Sequence, residues 1–189
     1  MPSNIDTLLD QLEINPSRSV VEKASKIKLV VFDVDGVLTD GTLYFLPDGQ
    51  DYKAFNTRDG LGIARLLHYG IHVAVISGRK STGVEARMKA LGIQHIYLGF
   101  EHKLETYQKI CQQLQLSEDQ TACIGDDLID IPLIRRAGLG VAVADAHPIA
   151  QISAHYVTRK QGGKGAAREL CDLIMLSQGL LQKEIDYWR

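Results

Sequence analysis

From Lys28 onward, short apolar, β-branched runs alternate with longer stretches of helical periodicity, and few folds accommodate that alternation. Runs that are apolar at nearly every position belong to strands covered on both faces, and intervening helices supply the cover in a parallel sheet. Strands are predicted over 29–34, 72–76, 95–98, 121–124, 140–143 and 156–158. Helices are predicted over 59–69, 80–91, 102–116, 128–137 and 165–178, with Gly70, Gly92 and Gly138 acting as stops. The fold class is therefore α/β, a doubly wound, Rossmann-like parallel sheet with helices on both faces. Ile5, Leu8, Leu9 and Leu12 lie at helical spacing before Asn15-Pro16 interrupts. Residues 1–26 are accordingly read as an N-terminal helical extension, 27–179 as the main domain and 180–189 as a C-terminal tail.

One insertion breaks the alternation. Strand-like runs over 42–46 and 52–56 flank Pro47-Asp48-Gly49-Gln50, which predicts a β-hairpin after the first strand. Open α/β sheets bind ligands outside the carboxyl ends of their strands, so the hairpin is expected beside the active site.

With 189 residues, 45% of them hydrophobic, the chain can bury one substantial core. Its 21 basic and 23 acidic residues leave a formal charge of -2 and form no basic run, which argues against nucleic acid and for a small-molecule partner. Cys111, Cys123 and Cys171 show no CxxC spacing, so neither a disulfide framework nor a thiolate zinc site is expected. His68 and His72 are four apart, but Gly70 breaks the helix between them, which disfavours a zinc pair. No segment approaches the roughly 20 apolar residues that span a bilayer, and Met1 to Glu13 lacks the basic start of a secretory signal. The expectation is a cytoplasmic protein with no membrane partner.

The chemistry lies at the strand ends. The first strand runs into Asp33-Val34-Asp35-Gly36-Val37-Leu38-Thr39, and the fourth into Gly125-Asp126-Asp127-Leu128-Ile129-Asp130. Burying carboxylates without a counter-charge is strongly unfavourable. Two acidic clusters at one sheet edge repel unless a hard cation sits between them, and carboxylate oxygens suit Mg²⁺. The bland alternatives are an acidic turn exposed to water and a helix N-cap role for Asp127 or Asp126. Ser77-Gly78-Arg79 follows the second strand, where a hydroxyl and free backbone N–H groups attract anions. Gly99-Phe100-Glu101-His102-Lys103 places a lysine after the third. Each feature is common alone; one at each of four successive strand ends is not.

These residues resemble the haloacid dehalogenase superfamily, with its DxD, Ser/Thr, Lys and acidic GDDxxD-like motifs in that order. The resemblance implies a phosphatase in which Asp33 attacks phosphorus and Asp35 protonates the leaving oxygen, then activates water. It also implies that Asp33, Asp126 and the backbone carbonyl of Asp35 hold the metal, and that Ser77 and Lys103 bind the phosphoryl oxygens. Asp130 and Asp127 would hold metal waters or Lys103. A carboxylate and a phosphomonoester are both anionic, so the metal is needed on physical grounds too. Neither gap between motifs has room for a cap domain, and a neighbouring subunit is the simplest cover for so open a site. A homotetramer with hairpins meeting around its axis is expected.

Within the superfamily, the opening DVDGVLTDG, Thr57-Arg58-Asp59-Gly60, Ser77-Gly78-Arg79-Lys80, Val141-Ala142-Val143-Ala144-Asp145-Ala146 and Gln161-Gly162-Gly163-Lys164-Gly165 are similar to the 3-deoxy-D-manno-octulosonate 8-phosphate phosphatases. The similarity covers about Lys28 to Gln178. It implies sugar contacts from Asn56, Thr57, Arg58, Asp59, Gly60, Gly78, Arg79 and Arg87, with arginines suited to paired contacts on a carboxylate. For Arg87 a solvated helix face is the alternative. Family members can carry arginine where this chain has Ala64, and Arg65 is the candidate substitute. The Gly162–Gly165 loop reads either as an anion site or as a flexible lead-in, with Lys164 and the tail closing as a lid and Tyr187 and Trp188 anchoring the terminus. Such an activity would feed lipopolysaccharide precursor synthesis. The rivals are a phosphatase for a nine-carbon acidic sugar phosphate, a phosphomutase, and a non-catalytic phosphate-sensing or scaffold protein. A receiver domain is disfavoured, because its acceptor follows the third strand, where only Glu101 is available.

Overall fold

Leu29, Val30, Val31 and Phe32 carry no polar side chain and are all buried, which places them at the centre of a sheet covered on both faces. The computed structural model describes residues 5–47, 51–100 and 102–189. In chain order the strands are β1 (Leu29–Phe32), β2 (Tyr44–Phe45), β3 (Asp51–Tyr52), β4 (His72–Ser77), β5 (His95–Leu98), β6 (Thr121–Gly125), β7 (Leu139–Ala142) and β8 (Tyr156–Val157). The helices are α1 (Ile5–Gln11), α2 (Arg18–Ala24), α3 (Thr57–His68), α4 (Thr82–Ala90), α5 (Lys103–Leu114), α6 (Ile131–Arg136), α7 (Pro148–Ser153), α8 (Ala166–Ser177) and α9 (Leu180–Tyr187). Six strands form one parallel sheet in the order β5-β4-β1-β6-β7-β8. The chain builds outward from β1 through β4 to β5, then crosses back to lay β6 on the other flank of β1. That reversal opens a crevice at the carboxyl ends of β1 and β6.

Successive residues of a strand face opposite sides. Val30 and Phe32 join one core layer with Ile63 and Leu66 of α3 and Leu170, Leu173 and Ile174 of α8. Leu29 and Val31 join the other, with Tyr107 and Ile110 of α5 and Leu133 of α6. The three cysteines are free and buried, and burial pushes their thiols above the ordinary value.

The segments flanking the sheet are built into this packing. Val20 and Ala24 of α2, with Ile14 in the segment between α1 and α2, are buried in the same layer as α8. The Gln178 amide donates to Ala24 O and Ile27 O, and Lys23 to Gly138 O. The tail expected after Gly179 forms α9, with Leu181 buried and Glu184 accepting from Arg65 (2.7 Å) and from the Tyr69 hydroxyl (3.0 Å). Arg65 is therefore engaged with the C-terminal helix. Tyr187 and Trp188 are exposed and stack edge-to-face on each other, and Trp188 Nε1 donates to Glu184 Oε1 (2.8 Å). The segment expected as one helix over 128–137 divides into a 3₁₀ turn (Leu128–Asp130) and α6. Pro132 stands in the first turn of α6, where the missing N–H costs nothing, and it prevents the preceding turn from continuing as α-helix.

The inserted hairpin is the antiparallel pair β2–β3, with Tyr44 opposite Tyr52 and their rings stacked at 5.0 Å. It forms a two-stranded sheet of its own. Most of the expected turn, 48–50, lies outside the described residues, as does Glu101.

Helix α3 carries the polar segment after the hairpin, and its orientation rests on Leu66, wholly buried, while Leu61 is 52% exposed. Leu66→Ala is expected to cost about 2–5 kcal/mol and Leu61→Ala less than about 0.5 kcal/mol, read from urea unfolding midpoints. Equal losses would mean that α3 is rotated from this orientation.

Candidate active site

Because β1 and β6 are paired in register, with Phe32 beside Ile124, the residues that follow them emerge side by side. The Asp33 N–H still donates to Ile124 O (3.2 Å) as the chain leaves the sheet. One carboxylate oxygen each from Asp33, Asp126 and Asp130 lie within 4.8 Å of one another, the cluster expected from the two acidic motifs. Gly36 shows why the first motif ends in glycine. Its φ is +85°, and a Cβ there would overlap the Asp126 carboxylate, so the loop after β1 passes directly over the second acidic motif. A Cβ at Gly125 would collide with Asp130 in the same way.

Lys103, only 2% exposed, opens α5 and reaches into this cluster. Its Nζ lies 2.8 Å from Asp33 Oδ1 and 2.7 Å from Asp130 Oδ1. The other oxygen of Asp130 accepts from the backbone N–H groups of Asp126 (3.1 Å) and Asp127 (3.4 Å). Both oxygens of Asp130 are thus committed to holding Lys103 and the Gly125–Asp127 turn. Asp127 is exposed and caps the 3₁₀ turn through Leu128 N (2.6 Å), the helix-cap alternative to a place beside the metal.

Burial, then the Asp130 charge, pushes the Asp33 carboxyl up to about 6, with Lys103 opposing. Burial, then Asp33, Asp130 and Asp127, pushes Asp126 up to about 8. Burial works against the Lys103 ammonium, but Asp33 and Asp130 outweigh it and raise its pKa. Three carboxylates against one ammonium leave a deficit of positive charge that a hard divalent cation corrects. The donors fit Mg²⁺: Asp33 and Asp126 each offer a carboxylate oxygen, and the Asp35 carbonyl accepts no hydrogen bond among the described residues.

Around this centre the other expected residues fall into two groups. Ser77, 3% exposed, ends β4 with its Oγ accepting from Arg79 N (3.2 Å); the side of Gly78 is open space and Arg79 is exposed. Arg87 of α4 is half-buried against Gly60, where a Cβ would meet its guanidinium, so it does not stand on a solvated helix face. Thr57 and Arg58 are exposed at the start of α3. Two residues of that segment have structural work instead. The Asn56 side chain caps α3 through Arg58 N (2.9 Å) and donates to Gly163 O (3.3 Å). Asp59 is buried and accepts from Arg168 N (2.8 Å), tying α3 to the start of α8; burial raises its pKa.

The Gly162–Gly165 loop is neither free nor flexible. Side chains at Gly162 and Gly163 would collide with the backbone of Gly36, Thr39 and Asp40, and Gly163 N donates to Val37 O (2.9 Å). Gly162 N donates to Asp145 Oδ1 (3.0 Å). The loop buttresses the chain that follows Asp33. The residue that sequence reasoning missed is Lys53, whose ammonium contacts both oxygens of Asp35, Oδ2 at 2.7 Å. Nothing in its sequence neighbourhood signals this, because the pair forms only when the hairpin folds back over the first motif.

Known proteins match most of the chain. The haloacid dehalogenase-like hydrolase family profile matches residues 96–170. The 3-deoxy-D-manno-octulosonate 8-phosphate phosphatase of Yersinia pestis is 50% identical over 163 residues, 86% of this chain and 87% of that protein. The phosphatase of the same name from Escherichia coli K12 is 48% identical over 167 residues, 88% and 89% of the two chains. Among solved structures, that of the Moraxella catarrhalis phosphatase, in complex with magnesium, phosphate and KDO, superposes with a TM-score of 0.88 at 39% identity. It covers 90% of this chain and 98% of its own.

With Asp33 and Asp126 raised above the ordinary 3.8, the metal-free folded protein holds protons that the unfolded chain has lost, between about pH 4 and about pH 8. Its stability is therefore expected to fall as pH rises through that window. Mg²⁺ at about a hundred times its Kd at pH 8 should raise Tm by roughly 5–10 °C there, and the same concentration should raise it less at pH 6, in scans of chelator-treated protein. A Tm indifferent to Mg²⁺ at both pH values would exclude a cation between the strand tips.

Proposed function

Because the chain belongs to the family of 3-deoxy-D-manno-octulosonate 8-phosphate phosphatases, among the haloacid dehalogenase-like hydrolases, we propose that it hydrolyses that sugar phosphate to the free sugar acid and phosphate. The observation that carries the reading is the buried Asp33 carboxylate, held by Lys103 at the tip of β1 and facing Asp126 at the tip of β6. The acidic pair, with the Asp35 carbonyl, would hold Mg²⁺. When bound, the ion offsets the charge of carboxylate and phosphate as they approach.

The remaining steps belong to side chains. Lys103 occupies Asp33 Oδ1 and so sets the direction of the carboxylate. Asp33 attacks phosphorus, the bond to the sugar oxygen breaks, and Asp35 gives that oxygen its proton. The aspartyl phosphate on Asp33 is then attacked by water, whose proton Asp35 takes, regenerating the free carboxylate. Ser77 and Lys103 bind the phosphoryl oxygens during both transfers. Arg58, Arg79 and Arg87, with the open backbone at Gly78, are the candidates for the sugar acid; the two structural residues Asn56 and Asp59 shape the segment that presents Arg58.

Tyr44, Phe45, Leu46 and Tyr52 are all more than two-fifths exposed on the hairpin. Such clustering of aromatic surface supports assembly, and we read the protein as a homotetramer whose hairpins meet. Among the described residues no helix is long and apolar enough to cross a membrane, in keeping with a cytoplasmic enzyme.

Asp33→Asn should reduce phosphate release by about a thousandfold or more while the circular dichroism spectrum stays unchanged. Turnover within about tenfold of the parent would remove Asp33 as nucleophile. Across a panel of sugar phosphates, kcat/KM should be highest for the acidic octulosonate; preference for neutral hexose phosphates would overturn the substrate, and preference for the nine-carbon acid would select the rival. Phe45→Asp is expected to yield smaller species in sedimentation velocity, and an unchanged tetramer would place the interface elsewhere.

A further inference from the structure

Lys53 has an uncommon position for a lysine. It follows β3 in the hairpin, yet its side chain is only 2% exposed, and lysines are almost never so buried without a partner. That partner is Asp35: the ammonium contacts both carboxylate oxygens, with Oδ2 at 2.7 Å. Asp51 is the other acid nearby, at 3.8 Å, beyond hydrogen-bond range. The Asp35 side chain, 24% exposed, has no other hydrogen-bond donor among the described residues. The backbone of β3 pairs with β2 and not with the main sheet. The ion pair thus joins the inserted hairpin to the loop that carries the reacting groups.

We propose that Lys53 is a positioning residue, a strut from the hairpin that holds the Asp35 carboxylate where it meets the oxygen leaving phosphorus. The proposal rests on the reading of Asp35 as proton donor and acceptor. When Asp35 carries the proton, only its other oxygen accepts from Lys53, and the two-point contact belongs to the ionised form. In both forms the group must occupy one place, and a free aspartate samples several χ1 wells. A two-point contact from a buried ammonium removes that freedom and escapes most of the screening that makes exposed ion pairs weak. Displacement of a reacting group by about 1 Å costs on the order of a hundredfold in rate. The seat of the hairpin, and not the first motif alone, then determines how well Asp35 works.

The test exploits leaving groups. A sugar oxygen needs a proton as it departs, whereas the nitrophenolate of p-nitrophenyl phosphate departs without one. With Mg²⁺ present, Lys53→Met should lower kcat/KM for 3-deoxy-D-manno-octulosonate 8-phosphate about 10- to 100-fold and that for p-nitrophenyl phosphate less than about threefold. Lys53→Arg, able to make the same two-point contact, should recover the sugar phosphate value to within about fivefold. The Tm shift caused by Mg²⁺ should be the same in both variants as in the parent, which separates the effect from misfolding. Asp35→Asn should show the same selectivity for the sugar phosphate. If it does and Lys53→Met slows both substrates equally, or neither, the strut is refuted. If Asp35→Asn lowers kcat/KM equally for both substrates, the proton-donor role given to Asp35 fails, and the strut falls with it.

Discussion

One buried ammonium holds the reacting end of this molecule together. Lys103 lies between Asp33 and Asp130, and Asp130 in turn binds the backbone of the turn that presents Asp126. Removing Lys103 would leave the carboxylates uncompensated in a place where water cannot screen them. Even so, the balance is incomplete, because burial and mutual repulsion push the Asp33 and Asp126 carboxyls upward. A site that is anionic in this way, and rigid, is prepared for a divalent cation and then for an anionic ester. Structure and chemistry make the same demand at this point.

Rigidity comes from backbone packed on backbone. The loop after β1 passes over Asp126 at Gly36, and the Gly162–Gly163 segment lies against that loop from the far side. Hydrogen bonds from Gly163 N to Val37 O and from Gly162 N to Asp145 Oδ1 close the contact. No side chain larger than hydrogen fits at these positions, so the glycines serve the placement of Asp33 rather than mobility. A loop rich in glycine is commonly taken for a hinge; here its glycines let two segments touch.

The remaining insertions shape the surroundings. Helices α2 and α9 pack on the α3–α8 layer, and Glu184 of α9 takes up Arg65, which faces away from the chemistry. Asp59, buried under Arg168 N, links the start of α3 to α8, so the polar segment 56–60 is anchored at Asn56 and Asp59 and open at Thr57 and Arg58. The hairpin exposes aromatic residues outward and turns Lys53 inward, joining a surface suited to assembly with the carboxylate of Asp35.

Periodicity and motif order alone were sufficient for the parallel sheet, its strand sequence and the acidic tips at Asp33 and Asp126, because alternating burial and uncompensated charge leave a local imprint on the chain. The strand ends drifted by one or two residues, as at Phe32, since the chain turns where hydrogen bonding to Val34 O begins and not where apolar residues stop. Only the tertiary structure decided the jobs of residues whose partners lie far away in sequence: Asn56 on Gly163, Asp59 on Arg168, Arg65 on α9, Lys53 on Asp35. A charged side chain looks the same in sequence whether it meets solvent, substrate or a distant backbone amide. Folding alone brings that counterpart within about 3 Å, the distance over which such a choice is made.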